Sequence, residues 1–235
     1  MCGRFGTTFN YTKLKALWNL RGDLFDFGPR YNIAPSQDVP VIVRNDEHNE
    51  LKPMRWGLVP SWAPDRSIGQ RMINARSETL LEKPSFKQLV TRRRCLVPAD
   101  GFYEWRREGK RKVPMWIHLK SKEPFAFAGL WDRWLDRDSG SDLYSFTIIT
   151  TRPNALLKPI HDRMPVIYDA PMGRQWLESF GGRAMELDLA LQPLPSELME
   201  AYEVSTLVNS PENDSAACIQ PVSSSQPVKS QLPLL

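Results

Sequence analysis

Residues 94–119 read RCLVPADGFYEWRREGKRKVPMWIHL, and this stretch decides the fold class. Its apolar segments alternate or run together, and a Gly or a charged cluster separates them, as in strands joined by short turns. The charged run REGKRK (107–112) is therefore expected to be a hairpin loop. Two more apolar segments follow, FAFAGLWD (125–132) and LYSFTIITT (143–151). The sequence thus predicts a fold dominated by strands.

Weaker signals on both sides of this stretch complete the predicted fold. Strands are expected at VPVIVR (39–44) and MRWGLV (54–59), helices over residues 12–20, 77–83 and 171–180, and a helical turn at 86–90. A chain of 235 residues that is 41% hydrophobic can bury one large core. We therefore expect a single α+β domain over residues 1–221, with a mixed, mostly antiparallel sheet or pseudo-barrel and peripheral helices. Residues 222–235 are polar and contain Pro, which predicts a disordered tail.

Composition excludes several classes of protein. No apolar run approaches the roughly 18 residues that a membrane span needs, and the N-terminus MCGRFGTTFN lacks the pattern of a signal peptide. Three Cys without paired spacing favour neither a disulfide framework nor a zinc site, so no metal or cofactor is expected. We expect a cytoplasmic protein, and the short tail favours a bacterial source. The net charge of +4 is compatible with nucleic-acid binding but does not require it.

Cys2 is the first candidate for chemistry. Removal of Met1 is expected because Cys is a small residue, and it leaves an amine and a thiol on one residue. These groups titrate at about 8 and about 8.5, so both are partly nucleophilic near neutral pH. Such an aminothiol reacts with aldehydes: the amine forms a Schiff base and the sulfur closes a thiazolidine ring. Alternatively, the thiol attacks an acyl carbon, as in N-terminal-nucleophile hydrolases.

Several polar motifs stand in apolar surroundings along the whole chain. They are MCGRF at the N-terminus, RYNIAP (30–35), RWGLVPSW (55–62), INARSET (73–79), GFYEW (101–105), HDRMPV (161–166) and VSTLVNSPEND (204–214). In this order, and together, they resemble the SRAP (SOS response-associated peptidase) family. The resemblance implies a protein of the DNA damage response that forms a covalent link to abasic sites in single-stranded DNA. It places the nucleophile at Cys2 and supporting active-site residues at Asn74, Glu104 and His161.

Elementary chemistry agrees with those roles. Glu104 suits the proton transfers of sugar-ring opening if burial beside Trp105 raises its pKa. His161 titrates near neutrality and suits proton transfer during Schiff-base formation. Asn74 offers both a donor and an acceptor, and on a strand it would share a face with Arg76.

The DNA contacts are expected from cations and aromatic rings near those motifs. Arginine guanidinium groups suit phosphate binding, and exposed tryptophans suit stacking on bases. Asn32 and Pro35 are expected as a polar contact and a wedge. The candidates are Arg4, Asn32, Pro35, Trp56, Trp62, Arg76 and Arg163. The basic runs 92–94 and 106–112 have two interpretations, contacts to phosphates or solvated turns, and solvated turns are favoured.

Three functions remain open from the sequence. The first is covalent capture of abasic single-stranded DNA by a monomer that becomes nucleoid-associated when it binds, with weak lyase activity or slow reversal of the link involving Glu104. The second is a cysteine-type peptidase, in which Cys2, Glu104 and His161 resemble a thiol-protease arrangement that acts at least on Met1. The third is a noncovalent module for modified bases or single strands, whose affinity would depend on salt but little on Cys2.

Overall fold

Five strands form a closed barrel at the centre of the molecule, a computed structural model that describes residues 2–22, 27–45, 47–178 and 184–222. The order around the barrel is β10-β4-β3-β6-β9, and β9 pairs back to β10. All of these pairings are antiparallel except β4 with β10. These barrel strands are β3 (Asp38–Arg44), β4 (Asn49–Trp56), β6 (Arg94–Ala99), β9 (Phe125–Leu135) and β10 (Asp142–Thr151).

A second, antiparallel sheet packs on the barrel in the order β13-β8-β7-β1-β2. Its strands are β1 (Phe5–Thr7), β2 (Arg30–Ile33), β7 (Gly101–Glu108), β8 (Arg111–Leu119) and β13 (Met199–Glu203). Three short strands pair with barrel strands: β5 (Asn74–Arg76), β11 (Met164–Pro165) and β12 (Ile167–Tyr168). The predicted α+β fold with a mostly antiparallel pseudo-barrel is confirmed.

The period-2 pattern of the strands explains where the core lies. Alternate side chains of β3, such as Val41 and Val43, face into the barrel with Phe127 and Ile148, and one face of the second sheet closes on the same cluster. The intervening residues, such as Ile42, face outward into a second cluster under the helices. Both faces of the barrel strands are therefore buried, which accounts for their nearly continuous apolar runs.

Four helices cover the outer cluster: α1 (Tyr11–Trp18), α2 (Pro84–Arg92), α3 (Ala170–Glu178) and α4 (Ala184–Ala190). Helix α1 begins where the Asn10 side chain accepts a hydrogen bond from the Lys13 backbone N–H, and it ends at Asn19 in the left-handed region (φ 51°). It therefore stops before Leu20, the predicted end. Short 3-10 helices lie at Arg66–Arg71, Ser77–Thr79, Ser196–Leu198, Thr206–Asn209 and Ala216–Ile219.

Three sequence-based predictions were wrong in detail. The hairpin loop expected over 107–112 is only the turn at Gly109 and Lys110, because β7 and β8 stay paired as far as Glu108 and Arg111. The helix expected over residues 77–83 is only the 3-10 turn Ser77–Thr79, because Pro84 disfavours helical geometry at Lys83 and leaves too few residues for a stable helix. The strand expected over 54–59 ends at Trp56, because Gly57 has a φ of 122°.

The last described residues are joined to the second sheet. Val204 forms a bridge with Pro221, and the Val222 backbone N–H donates to the Glu203 carbonyl. The rest of the predicted tail, residues 223–235, lies outside the described residues. Within the described ranges, no helix is long and apolar enough to cross a membrane.

Candidate active site

Strand β1 carries Cys2 to the side of Glu104. Phe5 pairs with Phe102 of β7, and the Tyr103 backbone N–H donates to the Arg4 carbonyl at 2.9 Å. Because the two strands are antiparallel, the chain before Arg4 continues toward Glu104. The Cys2 thiol is fully buried, and its pKa is raised well above the usual range, first by burial and then by the negative charge of Glu104. The thiol is therefore neutral at physiological pH.

Glu104 is a buried carboxyl with a pKa close to neutrality. Its residue is only 3% exposed, and burial raises its pKa from the ordinary value of 4.5 to about 7. Strand geometry explains the burial: Glu104 occupies the same face of β7 as Phe102, which points into the core. At pH 7 both the acid and the carboxylate are therefore present in comparable amounts, as a group that both gives and takes protons requires.

His161 lies next to Glu104, with 4.0 Å between His161 Nε2 and Glu104 Oε2. Burial lowers the pKa of His161, so the ring is neutral at pH 7. Its Nδ1 lies 3.0 Å from the Arg163 backbone N and 2.9 Å from Asp162 Oδ1. A backbone N–H is always a donor, so Nδ1 of the neutral ring accepts from Arg163 and the ring proton is assigned to Nε2. The imidazole therefore presents an N–H toward the Glu104 side of the site.

Asn74 is held at the edge of the same region by parallel pairing of β5 with β10, in which Asn74 lies opposite Ile148. The Asn74 Nδ2 group donates to the Ile73 carbonyl at 2.9 Å. Its Oδ1 atom is buried and has no hydrogen-bond partner within the described ranges. A buried acceptor without a donor costs free energy, so this oxygen is positioned to receive an N–H or O–H from a bound molecule.

Packing links Asn74 and His161 to Cys2. Their chain neighbours Ile73 and Ile160 belong to the hydrophobic cluster that contains Cys2. Strand β5 pairs with β10 at residues 148–150, and β11, just after His161, pairs with β10 at Thr150 and Thr151. The four predicted catalytic residues therefore lie on segments that converge at the C-terminal end of β10.

An open cleft of about 450 Å³ adjoins Glu104 and His161. Its remaining lining residues are Trp105, Arg107, Lys112 and Asn209. Arg107, Lys112 and Asn209 were not among the predicted catalytic or DNA-binding residues. Hairpin pairing explains two of them, because Arg107 lies directly opposite Lys112 in the β7–β8 ladder. The location of Asn209 in the motif VSTLVNSPEND was the one sequence signal that pointed to it.

Arg4 is anchored rather than free. Its guanidinium donates to Asn32 Oδ1 and the Val208 carbonyl, both at 2.7 Å, and to the Asn209 carbonyl at 3.3 Å. It also lies 6.0 Å from the centre of the Trp105 ring. Burial lowers its pKa. Arg4 thus joins β1 to the loop that carries Asn209.

Two predicted DNA contacts were wrong, because both side chains are buried. Trp56 is 1% exposed, packs edge-on against Phe5 and donates its indole N–H to the Ile73 carbonyl, so it offers no face to a base. Asn32 is fully buried. Its amide donates to three carbonyls of the 208–213 loop. Asn32 therefore holds the site together and does not contact DNA.

Arg163 is also committed within the protein. Its guanidinium makes a two-pronged pair with Glu78, at 2.6 and 2.9 Å, and donates to the Thr150 carbonyl at 2.6 Å. Its side chain is 12% exposed. Phosphate binding by Arg163 stays a prediction, and it would require the guanidinium to exchange or share its contact with Glu78. Its contacts fix the His161 segment to β10.

The remaining predicted contacts are accessible. Trp62 is 60% exposed, Arg76 is exposed at the end of β5, and Pro35 is half-buried in a turn. On β5, Ala75 is buried between Asn74 and Arg76, as expected if these two side chains share the opposite face. DNA binding by Trp62, Arg76 and Pro35 stays a prediction.

A buried carboxyl with a near-neutral pKa, a neutral histidine and a cysteine therefore lie together at one end of the barrel, as a proton-transferring site requires. Residues 1–211 match the family described as SOS response associated peptidase (SRAP), and the chain belongs to that family.

Its relatives and structural neighbours extend over nearly the whole chain. The abasic site processing protein YoqW of Bacillus subtilis is 47% identical over 225 residues, covering 94% of this chain and 99% of YoqW. The abasic site processing protein YedK of Escherichia coli is 34% identical over 229 residues, covering 94% of this chain and all of YedK. A crystal structure of a Bacteroides thetaiotaomicron protein superposes with a TM-score of 0.85 at 31% identity, covering 94% of this chain and 100% of that one.

Proposed function

We propose that this protein processes abasic sites in single-stranded DNA by forming a covalent thiazolidine link through Cys2. The observation that carries the proposal is the buried carboxyl of Glu104, which has a pKa of about 7. It lies next to both Cys2 and His161 at the mouth of a cleft. The relatives named above are called abasic site processing proteins, which supports the same substrate. Removal of Met1, which lies outside the described residues, is part of the proposal.

The reaction begins with the sugar. An abasic deoxyribose is mostly a closed hemiacetal, and opening moves a proton from the C1 hydroxyl to the ring oxygen. The Cys2 amine then adds to the aldehyde carbon, and the adduct loses water to give a Schiff base. The sulfur adds to the carbon of the C=N bond, and the thiol proton passes to the nitrogen, which becomes the N–H of the thiazolidine ring. One C–N and one C–S bond form, and the aldehyde oxygen leaves as one water.

The residues around Cys2 fit these steps. Protonated Glu104 donates a proton to the ring oxygen as the sugar opens. The raised pKa of the Cys2 thiol keeps its proton on sulfur until ring closure, when ionised Glu104 accepts that proton. The His161 Nε2–H donates a hydrogen bond to the aldehyde oxygen, and the two hydrogens with which this oxygen leaves as water come from the Cys2 amine, with Glu104 as the relay. The Asn74 Oδ1 acceptor orients the Cys2 amine or a sugar hydroxyl.

Single strands suit this cleft better than duplexes do. The aldehyde of a paired strand is enclosed, whereas an unpaired nucleotide is cheaper to extrude into a site. The exposed indole of Trp62 is available to stack on a base without sequence preference.

The peptidase alternative has less physical support. A cysteine peptidase uses a thiolate that a nearby histidine stabilises. Here burial raises the thiol pKa and lowers the His161 pKa, so the ion pair that such a mechanism needs is disfavoured. Turnover of a peptide by the wild-type protein, abolished by Cys2→Ala, would revive this alternative.

The direct test compares Cys2→Ala with wild type on single-stranded DNA that carries one abasic site. Alanine keeps a small, reactive N-terminal amine but removes the sulfur. With borohydride we therefore expect a trapped Schiff base, and without borohydride we expect the adduct to be lost on a denaturing gel. Cys218→Ala, which changes a cysteine outside the site, is the matched control and is expected to link at the wild-type rate. A denaturation-resistant adduct formed by Cys2→Ala at the wild-type rate would refute the proposal.

A further inference from the structure

The β7–β8 hairpin carries five cations, and their ion pairs divide them into two groups. Arg106 contacts Glu108 at 2.6 Å, and Arg111 contacts Glu203 at 3.2 Å. Arg107, Lys110 and Lys112 are exposed, and none of them has an acidic partner among the described residues. Three uncompensated positive charges therefore remain on this hairpin, and two of them, Arg107 and Lys112, line the cleft beside the active site.

The hairpin register places these two charges together. Arg107 and Lys112 lie opposite each other in the antiparallel ladder, so their side chains project from the same face of the hairpin. Both line the cleft that also contains Glu104 and His161. Like charges directly opposite each other repel, so the pair is destabilising unless an anion lies between them.

The position of β7 explains how residues of both of its faces reach one cleft. Strand β1 pairs with β7 only at Phe102 and Gly101. Beyond Glu104, β7 has β8 on one side and no strand partner on the other within the described ranges. The cleft runs along this open edge, so Glu104 from one face and Arg107 from the other border the same space.

We infer that Arg107 and Lys112 form a phosphate clamp that binds a phosphate next to the abasic sugar and so positions the sugar aldehyde over Cys2. The inference rests on the proposed function and deepens it, because it assigns phosphate recognition to a hairpin outside the Cys2, Asn74, Glu104 and His161 set. A planar guanidinium and an ammonium together match two oxygens of one phosphodiester. Both are positioning residues, since neither takes part in the bond-forming steps.

A pair of small probes isolates the clamp from the reaction of Cys2. The probes are 2-deoxyribose, which offers the aldehyde alone, and 2-deoxyribose 5-phosphate, which adds one phosphate. Intact-mass spectrometry measures the rate of adduct formation with each. We expect wild type to react faster with the phosphorylated sugar by about 10-fold, the discrimination that one good charged contact provides. Each rate is divided by the rate of free cysteine with the same sugar, because the 5-phosphate cannot close to a pyranose ring and so presents more free aldehyde. In Arg107→Gln/Lys112→Gln the corrected preference should fall to about one.

Arg111→Gln is the matched control, because it removes one positive charge from the same hairpin at a residue paired with Glu203. It should keep the wild-type preference. On single-stranded abasic DNA, the slope of log rate against log salt should flatten by about 0.7 for each lost phosphate contact in Arg107→Gln and in Lys112→Gln, but not in Arg111→Gln.

The outcomes separate this inference from the proposed function. If wild type forms no adduct with either sugar or with abasic DNA, the proposed function fails. If wild type forms adducts but the double variant keeps both the phosphate preference and the salt slope of Arg111→Gln, the clamp is refuted and the proposed function stands.

Discussion

Burial alone does not separate the residues proposed to react from those that hold them in place; hydrogen bonding does. Glu104 is buried at the site and titrates near neutrality. Asn32 is equally buried, but its amide is fully used by carbonyls of the 208–213 loop. The motifs RYNIAP and GFYEW do not distinguish these two residues, because a motif records residue type and not whether a polar group has a partner.

Glu104 should make the protein less stable at neutral and higher pH. Its folded-state pKa of about 7 exceeds the ordinary value of 4.5, so the stability linked to its protonated form is complete below pH 4 and is lost as pH rises through 7. Glu104→Gln removes this loss, and at pH 8 it should be more stable than wild type by up to about 3 kcal/mol, at 1.36 kcal/mol per pKa unit. Urea unfolding at pH 4 and pH 8 measures the difference.

The same variant should lose activity. Loss of a general acid–base typically slows a reaction by about 10²–10⁴-fold, and we expect adduct formation by Glu104→Gln to slow within that range. Equal stabilities of wild type and variant at pH 8, or an unchanged rate of adduct formation, would contradict the role given to Glu104.

At the level of secondary-structure elements, the strands were more predictable than the turns. β10 was predicted to within one residue of its observed bounds, because LYSFTIITT (143–151) is a long run of β-branched and aromatic residues that follows an Asp- and Ser-rich turn. The 77–83 segment was mispredicted because Pro84 keeps Lys83 out of helical geometry, and the residues that remain are too few for a stable helix.

The Arg163–Glu78 pair should contribute measurably to stability. Hydrogen bonding to Arg163 lowers the pKa of Glu78, so the contribution is present at neutral pH and lost as pH falls below the ordinary range of a glutamate. Because Glu78 is half-exposed, we expect only about 1 kcal/mol, or a fall in Tm of about 2–4 °C, for Glu78→Gln at pH 7.

Glu82→Gln is the control for this pair. Glu82 is exposed in the same turn region and contacts no cation among the described residues. Its replacement should leave Tm within 1 °C of wild type, measured by thermal unfolding at pH 7 and pH 3. A Glu78→Gln variant that matches Glu82→Gln at pH 7 would show that the pair does not hold the His161 segment.

The whole molecule brings together residues that are far apart in the chain. Cys2, Asn74, Glu104 and His161 lie on four segments that meet at one end of the barrel. Their convergence was predictable only through the family resemblance, since spacing along the chain does not determine how a closed barrel is wound. The cleft cations Arg107 and Lys112 were assigned to a solvated turn. The sequence alone does not show which cations of this hairpin stay unpaired, because the acid that pairs with Arg111 is Glu203, on a distant strand.

The central claim is that Cys2 acts as a free N-terminal aminothiol. The most direct measurement is intact-mass spectrometry of the free protein and of its adduct with single-stranded DNA that carries one abasic site, beside a denaturing gel. We expect a free protein without Met1, and an adduct whose mass is that protein plus the DNA less one water, with the link mapped to Cys2. No adduct from a verified N-terminal Cys2, or an adduct linked at another residue, would contradict the claim.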